Sequence, residues 1–386
     1  MNKYNQTICL SMIVKNEAHV IRRCLDTVRP LIDHWVIVDT GSTDGTQDAI
    51  RAAMSDLPGT LVERPWVDFA TNRTEALRLA RPTADYTLII DADDELIIPE
   101  KFELPRLDQA GYLFKIIDQN TEFTRIQLVS NQLDWRYRGA VHEFLECPGD
   151  PETPLLPLSM RYGGDGARHR DPDTEERDIA VMERVLASET DPFLISRYMF
   201  YLARSYRDIG EQHKAIEFFL RRADLGFGED EVYLSLLEAA LLMEKMGAPE
   251  ETLLKLFDGA ISICPHRAEA RHAASQFCRR RGKFEAGYRY GEAGIDLPLP
   301  EQGISINTWI YAYGMREEFA VNAFHVGQHG VCIYNCSKIL DRSDVPRDVH
   351  ARIGDLARQS LTRMVDPAWG CQSLTYTAAY SPLFRS

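Results

Sequence analysis

The stretch that most constrains the fold is residues 86–95, YTLIIDADDE. Leu88, Ile89 and Ile90 form a short apolar run that stops abruptly in Asp91, Asp93, Asp94 and Glu95. A run of that length between polar residues reads as a buried strand of a parallel sheet. Open α/β sheets keep their ligands beyond the carboxyl ends of the strands. Acids gathered there repel one another, and a cation among them would relieve the repulsion. If the strand geometry continues, Asp91 and Asp93 point the same way. They would then share one Mg2+ or Mn2+, hard ions that accept carboxylates and phosphate oxygens. The alternative is a solvated acidic turn, and the string alone leaves both readings open.

The chain before this stretch supplies the context. Residues 8–14 (ICLSMIV) and 35–38 (WVIV) read as strands, and residues 61–63 as a third. Between them, Val20, Ile21, Cys24, Leu25 and Val28 recur at helical spacing, with Pro30 as the stop. The string TGSTDGT after Asp39 offers N-caps for a helix over residues 47–54, and residues 69–79 form a third helix carrying Asn72 and Arg73. Alternating strands and helices predict a parallel, doubly wound α/β sheet. In that arrangement Asp39, Asp91 and Asp93 all fall at strand carboxyl ends.

Two more strands are expected at residues 112–117 and 125–129, followed by LDWRYRGAVHEFLE at 133–146. There Trp135, Arg136, Tyr137 and Arg138 suit phosphate or sugar contacts, because guanidinium grips phosphate and flat rings stack on sugars. An amphipathic edge strand with solvated arginines is the other reading, and His142-Glu143 would then be a surface pair. Pro-rich residues 151–157 and Gly-rich residues 163–173 read as a linker or a lid. Beyond Thr174 the pattern is helical and repeats. Gly210, Gly247 and Gly282 stand 37 and 35 apart, and Ala223, Ala260 and Ala293 stand 37 and 33 apart. A period near 34 is that of tetratricopeptide hairpins, which stack because none can bury its apolar face alone. A further helical stretch begins near Ile304. These repeats would serve as a peptide groove, or as a stabilising cap or dimerisation surface, so a homodimer is one of the options.

Composition bounds the rest. A chain of 386 residues predicts two or three domains, and 45% hydrophobic with 26% charged residues is ordinary for a globular protein. No charged-then-apolar leader opens the sequence and no run of about 18 apolar residues could span a bilayer, so the expected location is cytoplasmic. The eight cysteines are scattered; Cys332 and Cys336 have no second pair to complete a zinc site and, like Cys371, are expected to be core thiols. A net charge of −14 argues against nucleic acid as a partner, although a local basic groove is not excluded by it.

The strings SMIVKNEAHVIRRCLDTV, VIVDTGSTDGT and DADDE, in that order, resemble the family 2 glycosyltransferases of GT-A fold, over about residues 7–146. The helical remainder resembles the repeat-bearing members. The resemblance implies a GT-A domain at 1–165, tetratricopeptide-like repeats at 166–300 and a helical extension at 301–386. It implies transfer of a sugar from a nucleotide donor, UDP-linked by expectation, with inversion, Mn2+ or Mg2+, and a peptide or glycan acceptor. The donor would be lined by Val14, Asn16, Glu17, Asp39, Arg73, Asp91 and Ala92, with Asp39 and Arg73 toward the base. Asp91, Asp93 and His142 would hold the metal. Glu143 would be the general base, taking the acceptor's proton as it attacks, with Asp134 and Asp94 as rivals. Where the family usually has DDGS, this chain has Thr40 for the second Asp, which leaves the base contact resting on Asp39. The processive members' membrane spans and Gln-x-x-Arg-Trp string are absent, which argues against a polymerising synthase. Two other readings are set beside this one: a repeat-based adaptor with an inactive transferase domain, and nucleotidyl transfer. The second would call for a Gly-rich loop where Lys15-Asn16-Glu17 stands.

Overall fold

The computed structural model describes residues 3–119, 121–301 and 303–365. Cys371 lies outside the described residues. The described residues form two compact units, one within residues 3–231 with 303–306 and one within residues 232–301 with 307–365.

The first unit is built on a mixed sheet. Strands β1 (Ile8–Val14), β2 (His34–Asp39), β3 (Gly59–Glu63) and β4 (Tyr86–Ile89) run parallel in the order β3-β2-β1-β4. The crossovers are α1 (Ile21–Val28), α2 (Thr46–Ala53) and α3 (Phe69–Ala80). Helix α1 forms where the spacing put it, and buries Ile21, Cys24, Leu25 and Val28 on one face. Asp68 caps α3 by accepting from Thr71 N at 2.7 Å. Leu10, Ile37 and Leu88 are fully buried, each contributing roughly 1.5–3 kcal/mol.

The parallel, doubly wound expectation holds for this half alone. The sheet continues through β7 (Thr121–Ser130), β6 (Gly111–Asp118), β10 (Leu155–Arg161) and β5 (Glu95–Ile97). Here β7 is antiparallel to both β4 and β6, because a two-residue connection between β6 and β7 leaves no room for a crossover. The Pro-rich stretch expected as linker runs into β10, whose Leu156, Leu158 and Met160 alternate into the core. Residues 133–146 hold a small hairpin of β8 (Arg136–Arg138) and β9 (Phe144–Glu146). Helices α4 (Ala167–Arg170), α5 (Thr174–Leu186), α6 (Pro192–Asp208) and α7 (Gln212–Asp224) complete the unit.

The second unit is helical: α8 (Glu229–Lys245), α9 (Glu250–Ile263), α10 (Glu269–Arg280), α11 (Phe284–Gly294), α12 (Met315–His325), α13 (His329–Leu340) and α14 (Arg347–Val365). The glycine period has a physical cause. Gly210, Gly247 and Gly282 have φ of 85°, 77° and 72°, the left-handed cap a helix needs before the chain turns back. In each case the following N–H bonds five residues back: Glu211 to Tyr206 O, Ala248 to Met243 O and Lys283 to Cys278 O, all at 2.8–3.0 Å. Gly327, at φ 78°, makes the same turn between α12 and α13, with Gln328 N on Ala323 O at 2.8 Å. The alanine period marks no common core position: Ala260 is fully buried, whereas Ala293 is exposed. The seven described cysteines are buried and form no disulfide with one another.

Candidate active site

The acidic string surfaces at the carboxyl end of β4, but not as a continued strand. β4 ends at Ile89, and residues 91–94 close a turn with Asp94 N on Asp91 O at 3.2 Å. The premise that these acids lack partners is corrected by their surroundings. Asp91 meets Arg73 Nη2 at 2.6 Å and Arg125 Nη1 at 3.9 Å. Burial would raise its carboxyl, but the two guanidinium charges outweigh that and hold it below the usual range. Asp93 Oδ2 accepts from Gly166 N at 3.1 Å and faces His169 Nδ1 at 3.5 Å. Asp94, fully buried, accepts from Gly163 N at 3.1 Å and lies 3.4 Å from Arg125; burial, then the charge of Asp91, pushes it up to about 7. Glu95 takes Arg23 at 3.2 Å and Arg161 at 3.1 Å.

Asp39 ends β2, two sheet positions from β4 across β1, in register with Val14 on β1. It is fully buried. Its Oδ1 accepts from Gly41 N and Ser42 N at 2.7 and 2.8 Å, and its buried Oδ2 has no hydrogen-bond partner among the described residues. A buried carboxylate oxygen without a donor is costly unless a ligand supplies one. The loop around it is knit to the end of β1. Asn16, in the left-handed region at φ 59°, donates N–H to Ser42 Oγ at 2.9 Å and accepts Thr43 N at 2.8 Å. Glu17 N donates to Thr46 Oγ1 at 2.7 Å, and Thr40 N donates to Val14 O at 2.9 Å. Asn16 thus shapes the turn, Val14 braces it through its carbonyl, and Ala92 packs into the core. The carboxylate of Glu17 accepts Ala167 N at 3.1 Å and is raised by burial, with Asp93 adding to the effect.

Arg73 projects from α3 into the middle of this cluster. Its side chain is 14% exposed and bridges Asp91 at 2.6 Å and Glu143 at 2.6 Å, between the rings of Phe69 and Tyr137. Glu143 is thereby brought to the same guanidinium as Asp91. The ring of His142 stacks on Tyr201 with centroids 4.0 Å apart, its buried Nε2 has no hydrogen-bond partner among the described residues, and Arg197 Nε donates to its carbonyl at 2.9 Å. Burial, then Arg197, Arg204 and Arg168, lowers its pKa to about 3, so the imidazole is neutral. Asp134 lies elsewhere. It pairs with Arg81, just ahead of β4, so it sits at the amino end of the strand whose carboxyl end carries Asp91. Trp135 is buried in a small core cluster, and Arg136 and Arg138 are taken by Glu146 and Asp191, so this string does not present free guanidiniums.

The sequence reading missed the strap over Asp93. Residues 163–169, read as a linker or lid, pack on the acidic turn: Gly163 and Gly166 donate to Asp94 and Asp93, Asp165 pairs with Arg23 at 2.7 Å, and His169 meets Asp93. The glycines were the available signal. A Cβ on Gly163 would fall 1.9 Å from Asp93 O, and one on Gly166 would fall 2.9 Å from Asp93 Oδ2. Gly163→Ala is therefore expected to cost about 1–3 kcal/mol by overpacking, read as a lower melting temperature. An unchanged melting temperature would mean that the strap is not seated there. Arg125 had no sequence signal, since only the β4–β7 register brings it to Asp94. Among the described residues, no group of three or more His, Cys, Asp or Glu is arranged to hold a metal, and no helix is long and apolar enough to cross a membrane.

Comparison with known proteins defines the class. Residues 9–138 match the model of glycosyl transferase family 2. A TPR repeat-containing protein of Synechococcus elongatus is 27% identical over 73% of this chain and 73% of its own length. An uncharacterised glycosyltransferase of Rickettsia felis is 33% identical over 24% of this chain, and glycosyltransferase SunS of a Bacillus subtilis prophage 28% identical over 28%. The chain spans 30% and 25% of those two proteins. This chain thus carries a family 2 glycosyltransferase domain, joined to tetratricopeptide-like helical repeats.

Proposed function

We propose that this chain is a metal-dependent, non-processive, inverting glycosyltransferase that takes a UDP-linked sugar and delivers it to a peptide or glycan. The observation that carries the reading is the set gathered at one end of the parallel strands: Asp39 with its unpartnered buried oxygen, Asp91 and Glu143 around Arg73, and Asp93 in the same turn as Asp91. Asp39 Oδ2 is an acceptor for an N–H of the base or an O–H of the ribose. The family's metal fits the donor set in a limited form. Asp93 Oδ1 has no hydrogen bond among the described residues, and Asp91 Oδ2 has only Arg125 at 3.9 Å. Mg2+ or Mn2+ bound mainly through a substrate's phosphates needs only one or two such carboxylates. Asp93 and Asp91 would hold it, and once bound it supplies Lewis-acid stabilisation of the departing diphosphate. His142, stacked on Tyr201, is not counted among its ligands.

Glu143 then acts on the acceptor. Its carboxylate, anchored by Arg73, takes the proton of the attacking hydroxyl or thiol as that group approaches the anomeric carbon from the face opposite the diphosphate. The burial of Arg73 and Glu143 keeps bulk water from competing for the same proton.

Calorimetry with UDP, with and without Mn2+, tests the reading, together with turnover of UDP-sugars by the parent protein and Asp93→Ala. Binding that strengthens with Mn2+ and a large loss of turnover in the variant are expected. Equal turnover by the two would remove Asp93 from metal binding. Absence of UDP binding would favour the adaptor reading, in which the repeats alone carry the function.

A further inference from the structure

The loop that carries Glu143 is not held by the sheet. It runs from β8 to β9 and contains two left-handed residues, Gly139 at φ 104° and His142 at φ 51°. The second is uncommon for a non-glycine residue and persists only where the surroundings fix it. Those surroundings are one face of α6. Arg138 Nη2 donates to Asp191 at 2.5 Å, just ahead of α6, and Ala140 N donates to Tyr198 Oη at 2.9 Å. Arg197 Nε donates to His142 O at 2.9 Å, His142 stacks on Tyr201 at 4.0 Å, and Phe144 packs edge-on to Phe193 at 5.0 Å. Residues 193, 197, 198 and 201 recur at the three- and four-residue spacing of one helix face. Every residue from 138 to 144 that carries one of these contacts thus meets the same helix, and Glu143 sits inside that span.

Resting on the transferase reading above, we infer that α6, which follows α5 in the helical part, is a working wall of the active site, with Tyr198 and Tyr201 as positioning residues for Glu143. Tyr198 is 2% exposed and takes the amide of Ala140, three residues ahead of the carboxylate. Tyr201 presses the imidazole of His142 flat, and so sets the backbone direction from which Glu143 reaches Arg73. Neither tyrosine touches Glu143 itself among the described contacts; each acts through the loop. The first helical hairpin is then neither a detachable adaptor nor a mere cap.

The test uses the full chain and two variants, Tyr198→Phe and Tyr201→Leu. Tyr198→Phe keeps the ring and removes the acceptor of Ala140 N–H, so the fold is retained while the loop loosens. Displacing a catalytic group by about 1 Å costs on the order of 100-fold in rate, so a fall in kcat for UDP-glucose hydrolysis of roughly 10- to 100-fold is expected. KM and the calorimetric affinity for UDP should stay within about twofold, because Asp39 is untouched. Hydrogen exchange over residues 139–144 reads the same contact without catalysis, and faster exchange confined to that loop is expected. Wild-type exchange there in both variants would overturn the inference, as would a parental kcat. If the parent protein neither binds UDP nor hydrolyses UDP-glucose, the transferase reading fails, while faster or parental exchange still decides whether α6 holds the loop.

Discussion

Glu143→Gln is expected to slow UDP-sugar hydrolysis, and transfer once an acceptor is in hand, by about 10^2- to 10^4-fold, the usual contribution of a positioned general base. The argument is one of geometry. Glu143 is 12% exposed on its side chain and held by Arg73 at 2.6 Å, on the same guanidinium that holds Asp91. Glutamine keeps the volume and can still place its carbonyl oxygen on Arg73, so the nucleotide site should be undisturbed. UDP affinity by calorimetry is expected to stay within about twofold, and the loss should fall on kcat. Retention of more than about half the parental kcat would remove Glu143 as the base. Asp94 would then be the remaining rival near the site, because Asp134 is placed at the far end of β4 beside Arg81.

The parallel half of the sheet was legible because its signals are local. The apolar runs of β1, β2 and β4, and the helical spacing of Ile21, Cys24, Leu25 and Val28, place those elements without knowledge of their neighbours. The strand-end positions of Asp39 and Asp91 follow from the same pattern. The repeat was legible through Gly210, Gly247 and Gly282, since each turn imposes a backbone angle that glycine adopts most readily. What could not be read is everything set by register and long-range packing. Arg125 reaches Asp94 because β7 runs antiparallel beside β4, a pairing that no local string records. His169 and Gly166 reach Asp93 from 73 or more residues away. The acids looked unpaired because their partners, Arg73, Arg125, Arg23 and His169, lie on other elements.

That pairing leads to the largest expected effect on stability. Arg73→Met removes the cation from between Asp91 and Glu143 while keeping much of the side-chain length against Phe69 and Tyr137. The side chains of Arg73, Asp91 and Glu143 are 14%, 27% and 12% exposed, so solvent does little to screen what is left. Breaking such a pair from one side costs about 3–5 kcal/mol, because a buried charge is left uncompensated. The pH dependence fixes the mechanism. In the parent protein the folded Asp91 is held below its ordinary value, so its contribution is complete above that value and is lost only as pH falls through the depressed one. In the variant Asp91 loses the nearest charge that favoured its ionisation and takes its proton more readily, so the folded state takes up protons as pH drops. The stability gap between parent and variant should therefore be widest near pH 8 and narrow toward pH 4–5, where the variant relieves its repulsion by protonation. Urea melts at pH 5 and pH 8 measure it. A gap of equal size at both would mean that Arg73 stabilises this site by packing against the two rings, and that its charge does not hold the acids together.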